Sequence, residues 1–280
     1  MQPKYGTILM KRYFPFLLLM LLIAGCATTP YQPLAPLKIQ SATLPELTVK
    51  INASAAELKT LKSTMNIRVR ERGMEGAREC QGLLAYEKSE KLYLKGYRPL
   101  IPTFFTLVSN DGKFWVHTPK DNQVLTGKVS DLNETDNLQM GIRPDDLLRT
   151  LNMNPIPTST DYIVEMQELP AQYIISVFRT DLAASEKFLA RQITVERIFL
   201  NVEREVYYNN YGIAELDIVR KDYTHEGAVY FPREIVIFRP DLGSSLFLKA
   251  NKLMINPELN PKLFNFEMPG GAKVEELKKT

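Results

Sequence analysis

The chain has 280 residues, 45% hydrophobic and 24% charged, with 35 Lys and Arg against 32 Asp and Glu, a formal charge of +3. So small a surplus leaves no basic footprint for phosphate neutralisation, which excludes nucleic acid as a partner. Two cysteines exclude a disulfide scaffold, so the fold must stand on its core, for which about 240 residues suffice as one sizeable β domain.

At the N-terminus, Lys4, Lys11 and Arg12 precede the apolar run Tyr13 to Ile23, which ends in the small residues Ala24 and Gly25 and then Cys26. This pattern predicts a secretory signal peptide over residues 1–25, because about eleven apolar residues are too few to span a bilayer. Those three basic side chains account for the whole surplus: beyond residue 25 the chain carries 32 basic and 32 acidic groups. Residues 26–45 hold Pro30, Pro33, Pro36 and Pro45 and read as an extended tether. The domain proper is expected over 46–280.

The tetrad Ile23-Ala24-Gly25-Cys26 resembles the lipobox of bacterial lipoproteins. The resemblance implies diacylation of the Cys26 thiol, cleavage before it and acylation of the new amine. At roughly 0.8 kcal/mol per buried methylene, several acyl chains anchor stably where one is marginal. The alternative is a signal-anchor helix ending in a chance cysteine. Residue 27 is Ala, not the Asp of the usual inner-membrane retention signal of enterobacterial lipoproteins, so the outer membrane, on its periplasmic face, is the expected site. Cys80 is then left without a partner and reads as a small buried strand residue.

Beyond the tether, Ser54-Ala55-Ala56-Glu57 reads as a capping box and predicts a helix over 54–62, with Leu58 and Leu61 one turn apart. Strand signals then dominate. Met65, Ile67 and Val69 alternate with Asn66, Arg68 and Arg70 over 63–72. Residues 80–97 read as two strands around Lys88-Ser89-Glu90, and Asn110-Asp111-Gly112 is a strong hairpin signal within 103–118. A short strand follows at 123–128, and Pro144 with two acids predicts a helix over 143–153. Further strands are expected at 161–168, 172–179, 191–200, 203–208, 213–223, 228–238 and 245–255, with Pro232 marking an edge or a bulge. The fold class is mainly β (α+β): an incomplete antiparallel β-barrel of about ten or eleven strands with a few short covering helices.

Little in the sequence carries chemistry. His117 falls in a hairpin strand as partly exposed surface, and His225 in the expected turn Thr224 to Gly227 as a solvated residue. Neither has a Cys, Glu or second His at metal-ligand spacing, so no metal is expected. The acidic loop 131–137 lacks the central Gly and distal Glu of an EF-hand. No nucleophile elbow, phosphate loop or dinucleotide glycine pattern occurs, so neither an enzyme nor a cofactor is expected.

The segment 92–128 orders strand, apolar loop, strand, Asp-Gly turn, aromatic strand, Pro turn and Gln-Val strand. It resembles the LolA/LolB-like superfamily of periplasmic lipoprotein carriers and receptors, most closely at Asn110 to Val116 and at Pro119 to Val124. The C-terminal 264-FNFEMPGGAKVEEL-277 also looks like that family's closing strand. The lipobox places the resemblance on the membrane-anchored branch. It implies a half-open barrel with helical lids around an apolar cavity for an acyl chain of a lipid or lipoprotein, and a periplasmic carrier protein as a partner. Met65, Ile67, Val69, Leu84, Leu92, Leu94, Phe105, Leu107, Phe114 and Val116 are the candidates for the cavity wall; equally, they would fill a core. The resemblance further implies a membrane or transfer loop at Leu100 and Ile101, between Pro99 and Pro102. It also implies a cavity arginine that binds the lid, for which Arg68 and Arg70 are the candidates. The rival reading is an envelope assembly lipoprotein with a filled barrel that docks partners through its outer face.

Overall fold

The computed structural model describes residues 37–88, 90–98, 101–132, 143–181 and 186–277. The expected signal peptide, Cys26, the expected tether up to Pro36, and Leu100 lie outside them, as does the acidic loop from Asn133 on.

Two up-and-down runs of strands build the sheet. The first comprises β1 (Thr60–Arg70), β2 (Arg78–Glu87), β3 (Lys91–Arg98), β4 (Ile101–Asn110), β5 (Lys113–Thr118) and β6 (Gln123–Lys128). The second comprises β7 (Tyr162–Glu168), β8 (Gln172–Asp181), β9 (Glu186–Glu196), β10 (Val202–Tyr208), β11 (Ala214–Glu226), β12 (Val229–Arg239) and β13 (Ser244–Ile255). β13 pairs antiparallel with β1, from Leu61 opposite Ile255 to Arg70 opposite Ser245, and so joins the runs. A last strand, β14 (Lys273–Glu276), adds in parallel to β6. The result is one open sheet of 14 strands with β14 and β7 at its edges. The expected class holds, but the count of ten or eleven was too low. The turns are tight enough that each apolar segment becomes a strand of its own, as at Asp111-Gly112, where both residues take positive φ (49° and 72°).

Among the described residues two helices cover the inner face: α1 (Leu44–Glu57) and α2 (Pro144–Leu151). α1 starts ten residues before the helix expected at 54–62. The capping box that operates is Thr43-Leu44-Pro45-Glu46: the Thr43 backbone N–H and hydroxyl donate to Glu46 Oε2 at 2.7 and 2.8 Å. Pro45, counted in the tether, sits in the first turn, where its missing N–H leaves no intrahelical bond unmade. Ser54 caps nothing. It is buried and exchanges hydrogen bonds with the backbone of Tyr230 on β12. Asn256, in left-handed conformation (φ 53°), bonds through its amide to Lys59 N, Thr60 N and Glu57 O, and thereby ties the α1–β1 junction to the end of β13.

Alternation sorts the strands into an apolar inner and a mixed outer face. α1 lays Leu47 and Ile51 on Tyr173, Ile175, Val177, Ile193 and Val195 of β8 and β9. The larger cluster lies under α2 and joins β1–β5 to β10–β13. On the outer face, Phe266 stacks on Trp115 (5.8 Å between ring centroids), and the buried Phe264 lies in a short 3-10 turn against β3 and β4. The segment after β13 therefore crosses the outer face before β14 forms.

Two local expectations change. Thr224, His225 and Glu226 are not a turn but the end of β11, and His225 stacks on Tyr230 of β12 at 5.3 Å. Pro232 is not on an edge strand, since β12 lies between β11 and β13. It sits in the part of β12 that extends beyond β13, whose ladder covers only Glu234 to Arg239, so its missing N–H breaks no bond to β13.

Candidate functional site

The ten cavity candidates converge. Each is less than 9% exposed and all belong to the one cluster under α2, whose Leu147, Leu148 and Leu151 complete it. Their placement follows from register: Met65, Ile67 and Val69 share a face on β1, as do Leu84 on β2, Leu92 and Leu94 on β3, and Phe105 and Leu107 on β4. Phe114 and Val116 continue the row on β5.

A pair of glycines shapes this wall. Gly82 on β2 and Gly96 on β3 are cross-strand partners. A Cβ on Gly82 would lie 2.4 Å from Ile67 Cδ1, and one on Gly96 would lie 2.4 Å from Phe105 Cε1. The Ile67 and Phe105 side chains therefore lie flat across neighbouring strands, which only glycine allows. The sequence does carry a signal for this, since glycine inside a strand pattern marks close approach.

Arg68 and Arg70 are not lid ligands. Both are exposed, with Arg68 paired to Glu79 at 2.6 Å and stacked on Phe247 at 5.6 Å. The arginines that reach α2, which lies where the resemblance expects a lid, and the residues just after it are Arg191 (β9), Arg220 (β11) and Arg239 (β12), all buried. Arg239 Nη1 pairs with Asp146 Oδ1 at 3.1 Å near the start of α2. Arg220 Nη2 donates to Thr150 O at 3.3 Å, and Arg191 donates to Asn154 O (3.0 Å) and Pro155 O (3.1 Å) just beyond the helix. Tyr86 and Tyr207 add bonds to Asn152 and Asn154, and the Asn52 amide of α1 bonds both backbone groups of Ile156. Sequence reasoning missed these arginines, although parity marks them: Arg191 continues Ile193 and Val195, Arg220 continues Leu216 and Ile218, and Arg239 continues Ile235 and Ile237.

Glu205 on β10 balances two of these charges, paired with Arg220 Nη1 and, at 3.7 Å, with Arg191 Nη1. Asp146 is the outlier. Burial, and then the neighbouring Asp145, push its carboxyl up to about 6 against the pull of Arg239 and Arg143. Two contributions hold α2. Burying three leucines is worth roughly 5–9 kcal/mol, whereas each arginine bond to a carbonyl contributes about 1–3 kcal/mol net. Apolar burial and the three arginine–carbonyl bonds are thus of comparable size; the burial is indifferent to direction, whereas the arginines also set the position of the helix.

Of the other expected positions, Ile101 opens β4 opposite Arg98. Cys80 is half-buried against the main cluster, and burial raises its thiol pKa. His117 is half-buried on β5. Among the described residues no group of His, Cys, Asp and Glu could hold a metal ion, and no helix is long and apolar enough to cross a membrane.

No family model and no curated protein matches the chain in sequence. Solved structures do match. An outer membrane lipoprotein-sorting protein domain from Vibrio parahaemolyticus aligns with TM-score 0.55 and 13% identity, over 79% of this chain and 95% of that one. A LolA superfamily protein from Nitrosomonas europaea aligns with TM-score 0.52 and 11% identity, over 81% and 99%. A DUF1329 family protein from Desulfovibrio piger aligns with TM-score 0.54 and 13% identity, over 78% and 94%. At these identities the likeness is one of fold.

Proposed function

We propose, from the LolA/LolB-like fold that this chain has, that it is a lipoprotein of the bacterial envelope, anchored through Cys26. In this reading it accepts an acyl chain of a lipid or lipoprotein on its inner face and passes it on at the outer membrane. The observation that carries the reading is the way α2 is held. Its three leucines fill the apolar wall, as an acyl chain would, and buried arginines bond the backbone carbonyls of Thr150 in it and of Asn154 and Pro155 just beyond it. A chain entering the wall replaces one apolar contact with another, so exchange needs no catalytic group. The ten wall residues would contact the acyl chain, the β3–β4 turn at Leu100 with Ile101 at the start of β4 would be the transfer element, and a periplasmic carrier protein the donor.

The test is mass spectrometry of lipids that co-purify with the chain from residue 27 onward, with exchange of a fluorescent fatty acid. Bound acyl species that exchange are the expected result, and Leu100→Glu with Ile101→Glu should abolish transfer without unfolding. Reproducible absence of any acyl ligand and of exchange would sink the reading. The dense packing of the wall under α2 favours, in that event, the filled-barrel assembly lipoprotein.

A further inference from the structure

The corner of the domain where the chain enters carries a surface that the lid does not use. Ile39, Val49 and Phe199 are 54%, 69% and 57% exposed, on the entry segment, the outer side of α1 and the β9–β10 turn. Hydrogen bonds fasten these pieces together. Gln40 donates its backbone N–H to Arg197 O (2.6 Å) and its amide to Ile198 O, and the Lys50 ammonium donates to Phe199 O. The turn is itself stiff: Glu196 accepts from the backbone N–H groups of Ile198 (2.7 Å), Phe199 (3.0 Å) and Asn201 (3.0 Å). Phe199 is thus held out in water by a built turn, at a hydration cost that a partner would relieve.

We infer that this corner is a membrane-contact surface, with Phe199, Val49 and Ile39 entering the headgroup and acyl boundary of the bilayer that holds the anchor. The inference rests on the lipidated Cys26 of the reading above. Twelve residues separate Cys26 from Ile39, and even fully extended they hold Ile39 within about 45 Å of the anchored residue. A single anchored chain meets the bilayer at high effective concentration, whereas it meets a second copy only by diffusion. A rival surface, Tyr211 and Ile213 (88% and 61% exposed), lies in the β10–β11 turn at the other end of β10. That end is about 20 Å further along the strand from the entry corner. The lipid surface is assigned to the Phe199 end because the anchored segment enters the domain there, at Ile39 and Gln40, and the β10–β11 turn lies at the opposite end of the strand.

The mature lipidated protein, with Cys80→Ser, is reconstituted into phosphatidylethanolamine–phosphatidylglycerol vesicles containing brominated acyl chains. An environment-sensitive dye is placed at Phe199→Cys, Val49→Cys or Tyr211→Cys, and Trp115 emission confirms that each variant is folded. Blue-shifted, bromine-quenched emission at 199 and 49 but not at 211 is the expected result. Protein that floats with the vesicles while 199 is no more quenched than 211 overturns this inference and leaves the anchor reading intact. A blue shift at 199 without bromine quenching overturns it in favour of a contact between copies of this chain. Protein that fails to float overturns the anchor reading and this inference with it.

Discussion

Protonation of Asp146 offers a sharp probe of the lid. Its carboxyl is 3% exposed, and its pKa stands at about 6 against an ordinary 3.8. The native protein therefore binds a proton between about pH 4 and 6 that the unfolded chain does not. For an acid whose pKa is raised on folding, the stabilising contribution is complete below the unfolded value and is lost as pH rises through the folded one. The difference in pKa corresponds to about 3 kcal/mol, an order-of-magnitude figure, gained on acidification from pH 7 to 4. Other carboxylates contribute with the opposite sign; Asp241, held low by Arg239, is one. The test is accordingly a difference between two proteins: urea unfolding at constant ionic strength from pH 4 to 7, for the wild type and Asp146→Asn. The variant keeps an oxygen to accept from Arg239, which retains its pair with Asp241 at 3.0 Å. It should be no less stable than the wild type at pH 7 and should lose ground to it as pH falls. Parallel curves across the range would show that Asp146 is not held against its charge, and the account of the Asp146–Arg239 contact would fail.

Two further changes bear on the wall and the charges behind it. Arg220→Met leaves Glu205 buried with only Arg191 at 3.7 Å and removes the bond to Thr150 O; a loss of about 3–5 kcal/mol is expected in chemical denaturation, while Arg68→Met on the outer face should change stability by less than about 1 kcal/mol. Gly96→Ala pushes a methyl group to within 2.4 Å of Phe105, and a cost of about 1–3 kcal/mol is expected in thermal unfolding, whereas Gly76→Ala, which meets open space, serves as the control.

Much of this architecture is local and therefore legible in short stretches of sequence. The strand 123–128 appears at its expected bounds, and Asp111-Gly112 makes the expected hairpin, because a two-residue turn with positive φ at both positions is specified by those residues alone. Alternation placed all ten wall candidates on one face. Where local signals compete, they mislead. Thr43 to Glu46 and Ser54 to Glu57 both satisfy the capping pattern, and Pro45 made the first look like tether. The second fails because Ser54 spends its hydroxyl on the backbone of β12.

The sequence by itself determined the charge balance beyond residue 25, the inner and outer faces of each strand, and the tight turns, all of which depend on residues a few positions apart. Tertiary structure decided that β13 zips onto β1 across roughly 190 residues of chain, that β14 runs parallel to β6, and that Phe266 reaches Trp115 on the outer face. It also decided which arginines meet the lid. A strand's backbone donors and acceptors are the same whatever its neighbour, and a buried arginine is tolerated only where a carboxylate or carbonyl from a distant segment comes to meet it. Neither choice is written in any short stretch of residues.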